Sequence, residues 1–599
     1  MDSSRAAEAA PNAMPSTTRP GPRPLLPLVL LALGLIAVPV LGDGFLAYQV
    51  ALFLIYGIAT QGVALCWGRL GFLPLGQSLF FGLGAYLAGG ALKAAEAQTG
   101  WILALPLAVL LPALLAYALA RLVFARSQRS GPYFSLITLA AAMLGFLVAQ
   151  QWSSVTGGFN GLSGVPDLPG TERFSTLYWV VAAAALASTA LLGALLRRPI
   201  GVLWHAIAQD EERLQLFGYA TDRMKAAAFA LAAALAALAG GLFAAHQGIV
   251  TPVAMGFVLA TEFVIWAAVG GKLSPLGALL GAVVVGYASS ELRDRIAFWE
   301  VLVALVFILV VRYLPDGLAG LVATLRARRA AAAPAEGPRT PAPARRAPVS
   351  NLSLAIDELS VAQNGVRILD GLSLDLQGPG IRAVIGPNGA GKTSSFNALT
   401  GRLPVRGGRL RLGGEDVTGW PTWRVAAQGV GRKMQVPTVF RELSVRDNLL
   451  IAVWAGRLSA RDALGLAAHR WTTPLQDELL ARFPALREQW GVPAGALSQG
   501  HRQALEFLMT VLPEPGLVLL DEPCAGLSSA ETRHMAEAIQ AAVRRLGAAA
   551  LLIEHDIDAV AALADEVFVL HQGRLLARGS LREVQADPRV RAVYAGGHK

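Results

Sequence analysis

Two hydrophobic rhythms divide this chain. From Leu25 to Tyr313, nearly unbroken apolar stretches at 25–41, 45–66, 72–92, 101–123, 133–150, 176–196, 225–246, 253–270, 275–291 and 297–313 are separated by short polar, Gly- or Pro-bearing loops. Most approach the ~20 residues a helix needs to cross ~30 Å of hydrocarbon, which predicts an all-α polytopic membrane domain of about ten transmembrane helices. The run 25–41 has no short basic leader and no Ala-x-Ala cleavage site, so it reads as a retained first span. Past Asn351 the rhythm changes: apolar and period-two strand patterns alternate with helical ones, as in an α/β nucleotide domain.

Charge supports this order. With the amino terminus inside, the inner loops receive Arg69, Arg121, Arg126, Arg129, Arg197, Arg198, Arg213, Arg223, Lys225 and Lys272, and the outer loops only Lys93, Arg173, Arg293 and Arg295. Basic residues are retained on the cytoplasmic side, so the chain is expected in a bacterial inner (cytoplasmic) membrane with its carboxy-terminal domain in the cytoplasm. A composition of 54% apolar and 15% charged residues excludes a wholly soluble protein, and the lipid bilayer is the first expected partner. The formal charge of +10 is carried by arginines in loops and in the seam between the two halves, which argues for membrane topology and against nucleic acid. Cys66 and Cys524 have neither metal-site nor disulfide spacing and read as reduced packing residues. From Arg326 to Ser350, Ala, Pro and Arg dominate, and Pro334, Pro338, Pro341, Pro343 and Pro348 are expected to block helix and sheet. The expected division is a polar tail at 1–24, a membrane domain at 25–325, a linker at 326–350 and a nucleotide domain at 351–599.

Candidate chemistry begins at Gly386, Pro387, Asn388, Gly389, Ala390, Gly391, Lys392 and Thr393, followed by Ser394. A strand pattern over Ile381–Ile385 precedes this run and a helical one begins at Lys392, the setting a phosphate-binding loop requires. Backbone N–H groups and the helix N-terminus would surround the phosphates of ATP, Lys392 would reach the terminal ones, and the Thr393 hydroxyl would ligate Mg²⁺. Downstream, the buried-strand pattern Leu517–Leu520 ends in Asp521 and Glu522. Asp521 is placed to hold the metal and Glu522 to act as base toward water.

Together with these motifs, Leu497-Ser498-Gln499-Gly500-His501 resembles the signature of ATP-binding cassette ATPases, a likeness covering about 351–595. Ser498 and Gly500 keep the pattern, whereas Gln499 and His501 depart from it. The resemblance implies that Ser498 and Gly500 cap the γ-phosphate bound by an opposite subunit, that Gln435 couples the metal to the membrane domain, and that His555 contacts the γ-phosphate after the strand Ala550–Ile553. The family usually stacks adenine on an aromatic residue where this chain has Gln363, and no Phe, Tyr or Trp occurs from Asn351 to Ser395.

The membrane half, about 25–321, resembles the permeases of branched-chain amino acid and urea ABC importers. Gly76-Gln77-Ser78-Leu79-Phe80-Phe81-Gly82-Leu83-Gly84-Ala85-Tyr86 looks like their glycine-rich third-span motif, with Pro74 and Gln77 where Ser and His are frequent. Gly131-Pro132-Tyr133-Phe134 through Thr138-Leu139, followed by Thr156-Gly157-Gly158-Phe159-Asn160-Gly161, is a closer match. Most of these glycines are expected to serve helix packing. Ala206-Ile207, Asp210-Glu211 and Gly218 resemble the cytoplasmic coupling helix of importer permeases. Glu262, inside the eighth span, is either a functional acid or one that snorkels or pairs within the bundle.

The fold class these readings imply is an all-α polytopic membrane domain fused to an α/β P-loop ATP-binding cassette. The implied function is ATP-driven import of branched-chain or related amino acids by a fused permease and ATPase subunit. Urea or short-chain amides are the alternative cargo; a half-transporter exporter and a membrane-anchored regulatory ATPase are the alternative classes. Implied partners are a second permease subunit and a second ATPase subunit, or a homodimer, together with a periplasmic solute-binding protein and a small polar solute.

Overall fold

The computed structural model describes residues 26–94, 101–124, 131–293, 295–296, 298–321, 339–345, 352–363 and 365–595. The expected tail at 1–24, the linker apart from 339–345, and the loop arginines Arg126 and Arg129 lie outside the described residues. The described residues fall into two compact units, one from 26–208 with 222–321 and the other from 209–221 with 339–595.

In the first unit each apolar stretch forms a helix: Leu26–Leu41, Gly44–Ala64, Gln77–Ala94, Trp101–Phe124, Gly131–Gln151, Leu177–Leu196, Thr221–Gln247, Phe257–Gly270, Pro275–Arg293 and Trp299–Tyr313. Among the described residues seven helices are long and apolar enough to cross a membrane, and Leu26–Leu41 and Phe257–Gly270 are shorter apolar helices. Helix Gly44–Ala64 is buried along most of its length against Pro275–Arg293, Phe257–Gly270 and Leu177–Leu196. Trp101–Phe124 and Trp299–Tyr313 instead expose Leu103, Leu114, Leu122, Val301, Leu305 and Leu309, a surface suited to lipid or another apolar helix.

Small residues set how closely these helices approach. A Cβ on Gly84 would lie 2.2 Å from the Ala237 carbonyl oxygen, and one on Gly240 would lie 1.9 Å from that of Phe81. Backbone therefore meets backbone between Gln77–Ala94 and Thr221–Gln247, as expected where lipid supplies no hydrophobic drive for helix association. Gln77 donates to the Ala232 carbonyl at 2.6 Å, which satisfies a buried amide N–H in the same seam.

The second unit is built on two sheets. A six-stranded sheet runs in the order Arg574–Gly579, Glu566–His571, Gly380–Ile385, Ala549–Ile553, Leu517–Asp521, Val430–Lys433. All its pairings are parallel except that of the outermost strand Arg574–Gly579. A four-stranded antiparallel sheet contains Val366–Leu376, Leu354–Gln363, Gly407–Leu412 and Glu415–Asp416. Phe396, Leu519, Leu551, Phe568 and Leu570 are buried in one core with Leu354, Ile356, Leu369 and Leu410 of the second sheet. The near-continuous apolar strands Leu517–Asp521 and Ala549–Ile553 are buried at every position, the pattern of a sheet covered on both faces.

Candidate functional site

Parallel strands bring the candidate residues to one edge. Asp521 is in register with Ile553, and Ile553 with Val384, so the loops after Leu517–Asp521, Ala549–Ile553 and Gly380–Ile385 leave the sheet side by side. Ligands of open α/β sheets bind at such carboxyl ends. Val430–Lys433, paired with Leu517–Asp521, delivers Met434 and Gln435 to the same edge.

The phosphate loop depends on backbone that only glycine adopts easily. Gly391 has φ +97° and leads into helix Lys392–Leu399; a Cβ there would lie 2.8 Å from the Leu369 side chain. Lys392 is buried, and its Nζ donates to the carbonyls of Gly386 at 2.8 Å and Pro387 at 3.2 Å. Burial lowers its pKa, against the opposing effect of Glu522 and Asp521.

Asp521 is buried, and its Oδ1 accepts from the Thr393 hydroxyl at 3.5 Å. Among the described residues its Oδ2 has no hydrogen-bond partner; the Arg432 guanidinium stands 4.0 Å away. Burial raises the pKa of this carboxyl even though Arg432 opposes it. An orphaned carboxylate oxygen beside a threonine hydroxyl is a donor set that fits a hard divalent cation such as Mg²⁺. Glu522 has φ +44°, a strained backbone for a side chain of its size, and its Oε1 lies 3.0 Å from His555 Nε2. Acid and histidine thus face each other across the ends of two neighbouring strands. Gln435 is exposed in the loop after Val430–Lys433. Ser498 and Gly500 stand elsewhere, at the head of helix Gln499–Val511. Ser498 caps that helix by accepting from the His501 N–H at 3.2 Å. Gly500 lies against Glu531, and the departing Gln499 packs its amide on Gly526.

Several residues missed in the sequence complete this framework. Glu554 is buried and accepts from the Cys524 N–H at 3.0 Å and the His555 N–H at 3.3 Å, tying the Glu522 and His555 loops together. Its position at the end of the strand Ala549–Ile553 was a readable signal. Arg432 donates to Phe396 O, Thr400 Oγ1 and Asn397 Oδ1 at 3.1, 2.7 and 2.8 Å, and burial pushes its pKa down to about 10. Glu506, fully buried, accepts from the Met434 N–H at 3.2 Å and the Thr438 hydroxyl at 2.9 Å, bonds that bracket Gln435. Nothing in the local pattern marked Glu506 or Lys433 as partners.

Residues Gln209–Thr221 belong to this same unit. The helix Pro199–Gln215 breaks at Asp210, with φ −154° and ψ 92°, and Arg213 lies just past the break. Its guanidinium donates to Arg432 O at 2.7 Å and Thr510 Oγ1 at 3.3 Å and lies 3.5 Å from Glu506 Oε1. Lys433 Nζ approaches Glu506 Oε2 at 3.5 Å from the other side. Glu212 pairs with Arg402, Gln209 accepts from the Glu442 N–H at 2.9 Å, and the Tyr219 hydroxyl donates to Ile451 O at 2.9 Å.

Comparison with known proteins agrees with both halves. The family described as "Branched-chain amino acid transport system / permease component" matches residues 45–311, and "ABC transporter" matches residues 369–525. The chain is 34% identical over 258 residues to the high-affinity branched-chain amino acid transport ATP-binding protein BraF of Pseudomonas aeruginosa, covering 41% of this chain and 97% of BraF. It is also 34% identical over 253 residues to LivG of Salmonella typhimurium, a protein of the same description, covering 41% of this chain and 97% of LivG. A solved structure similar to it is the ADP conformation of the ATP-binding cassette MJ1267, at 25% identity, covering 41% of this chain and 100% of that one with a TM-score of 0.36. The chain therefore belongs to the ABC transporter family, with a permease of the branched-chain amino acid transport type and an ATP-binding cassette on one polypeptide.

Proposed function

We propose that this chain is the fused permease and ATPase subunit of an importer for branched-chain or related amino acids. It would sit in the bacterial inner membrane with its cassette in the cytoplasm. The observation that carries the reading is the co-occurrence of both matched components on one chain, together with the transport described for BraF and LivG. In this reading residues 25–325 form the permease, 326–350 the linker and 351–599 the ATPase. The partners are a second permease and a second ATPase subunit, or a second copy of this chain, and a periplasmic binding protein that delivers the solute.

The loop Gly386–Ser394 holds the phosphates of ATP through its N–H groups and Lys392. Thr393, Asp521 and Gln435 would hold Mg²⁺, which when bound neutralises charge on the terminal phosphates. Glu522 accepts a proton from the attacking water, and His555, 3.0 Å away, orients that carboxylate and reaches the γ-phosphate. Ser498 and Gly500 close on nucleotide held by the opposite cassette. Arg213, Glu506 and the bonds that Met434 N–H and the Thr438 hydroxyl donate to Glu506 supply a path from the 209–221 segment to the loop that carries Gln435. Closure of the cassettes drives alternating access in the membrane half.

The test is uptake of labelled leucine, with labelled urea as the competing arm, into proteoliposomes holding this chain, its companion subunits and loaded binding protein. Leucine accumulation that Glu522→Gln abolishes supports the reading. Urea accumulation alone, or uptake indifferent to that substitution, overturns it.

A further inference from the structure

We propose that residues 339–345 are a strap on the cassette and that Arg345 is a positioning residue. It shapes the groove that seats Leu216–Gly218 and thereby sets how tightly hydrolysis is coupled to transport. This rests on the transport reading above.

The strap is anchored at both ends. Thr340 and Pro341 pair in parallel with Trp471 and Thr472, and the Ala342 N–H donates to Thr472 O at 2.9 Å. The proline run predicts a linker without sheet, but a two-residue bridge at an edge tolerates Pro341 because its missing N–H is not needed there. Arg339 pairs with Asp477 at 2.8 Å. At the other end the Arg345 guanidinium donates to three backbone carbonyls, Pro513 O at 3.1 Å, Glu514 O at 2.9 Å and Ala427 O at 3.4 Å. Its stem lies over Gly456, where a Cβ would stand 3.0 Å from Nε. Planar guanidinium geometry is what allows one side chain to join separate chain segments in this way.

Those segments have consequences at the far side of the sheet. Ala427 leads into Val430–Lys433, and Pro513–Glu514 lead into Leu517–Asp521. The two strands are further tied by the Gly516 and Leu517 N–H groups, which donate to Gly429 O at 2.9 and 3.1 Å. Arg345 therefore clamps the entrances of the two strands whose exits carry Gln435 and the Asp521–Glu522 pair. Ala427 is shared with the 209–221 segment. Gly218, at φ +86°, lies so close that a Cβ would stand 3.3 Å from Ala427 Cα. Leu216, Phe217, Gly218, Arg345, Ala427 and Gly456 line one cleft of about 60 Å³. The segment that leads into the cassette thus supplies a wall of the groove.

The test uses the full chain in nanodiscs, with its companion subunits and loaded binding protein. Arg345→Ala is compared with Arg345→Lys by amide exchange and by labelled solute moved per ATP hydrolysed. Exchange at Leu216–Gly218 should quicken at least about fivefold in Arg345→Ala, with helix Lys392–Leu399 within about twofold of the parent. Solute moved per ATP hydrolysed should fall at least about threefold, whatever the basal rate of phosphate release. Arg345→Lys, which keeps charge but reaches fewer carbonyls, should fall between. Unchanged exchange at 216–218, or an equal rise throughout the cassette, overturns the strap. If the parent moves no leucine, the transport reading fails and the exchange result alone judges the strap.

Discussion

Glu506 offers the sharpest test of how the cassette is held together. Its carboxylate is fully buried and faces two buried cations, Arg213 and Lys433, each at 3.5 Å. Glu506→Gln keeps the shape and an acceptor for Met434 N and Thr438, but removes the carboxylate that faces both cations, leaving only the weaker attraction of Asp210 on Arg213 and of Asp521 on Lys433. Breaking a buried ion pair by removing one partner costs about 3–5 kcal/mol. For a domain of this size each kcal/mol shifts Tm by roughly 2–4 °C, so a loss of roughly 6–20 °C is expected. Arg213→Met should cost less, because Glu506 keeps Lys433; its main loss is the donor to the buried Arg432 carbonyl, about 1–3 kcal/mol. The double variant deprives one cation, instead of two, of the Glu506 charge. Its loss should fall short of the sum of the singles by at least about 1 kcal/mol. The assay is thermal unfolding of the full chain in nanodiscs, read by amide exchange in Val430–Lys433 and Leu517–Asp521 so that the cassette is followed by itself. A Tm loss below about 3 °C for Glu506→Gln, or strict additivity in the double variant, would refute the argument.

Three further outcomes are expected. Gln363 is exposed where Leu354–Gln363 pairs back on Val366. Gln363→Tyr should tighten ATP binding about fivefold through adenine stacking worth ~1 kcal/mol, and an unchanged Kd by titration would reject that placement. Burial pushes the Cys524 thiol up to about 12, so almost none is thiolate at pH 8; an aromatic disulfide reagent should label it only after unfolding, and labelling of folded protein at a free-thiol rate would contradict this. Burial also raises the Glu554 pKa above its ordinary 4.5. The folded state then binds the proton more tightly, so stability contributed by protonation is present at low pH and lost as pH rises through the folded value. Glu554→Gln should accordingly flatten the fall in cassette stability above pH 4.5; denaturant titrations giving parallel pH curves for parent and variant would exclude the effect.

Much of the nucleotide site was legible because its chemistry is local. The phosphate loop, the strand ending in Asp521–Glu522 and the strand before His555 each announce themselves within about ten residues, and the observed strands Leu517–Asp521 and Ala549–Ile553 differ from expectation by one residue at an end. The ten apolar stretches became helices for a similar reason, although among the described residues only seven of those helices are long and apolar enough to cross a membrane. What escaped was set by long-range pairing. Glu506 reads as an ordinary helix residue until Arg213 and Lys433 converge on it, and Arg345 reads as one basic residue in a proline-rich seam until three carbonyls meet it. The parallel bridge at Thr340–Pro341 was hidden because proline argues against sheet everywhere except at such edges.

The buried charges at the 209–221 segment also make sense of the fusion. An ion pair as deeply buried as Arg213–Glu506 contributes little net stability over an apolar pair, because desolvating both groups offsets their attraction. It does discriminate between registers: a shift that moved Arg213 off Glu506 and the Arg432 carbonyl would strand several buried polar groups at once, each costing about 1–3 kcal/mol. On separate polypeptides such a contact would also have to supply affinity. On one polypeptide the encounter is intramolecular, at an effective concentration that short connections can raise to the millimolar range. The contact can then be selected for register alone. Cutting the chain between 322 and 338 should therefore weaken recovery of the ATPase half with the membrane half without changing the exchange protection of Leu216–Gly218 in those complexes that persist. Loss of protection in the surviving complexes would show that the connection also maintains the groove directly.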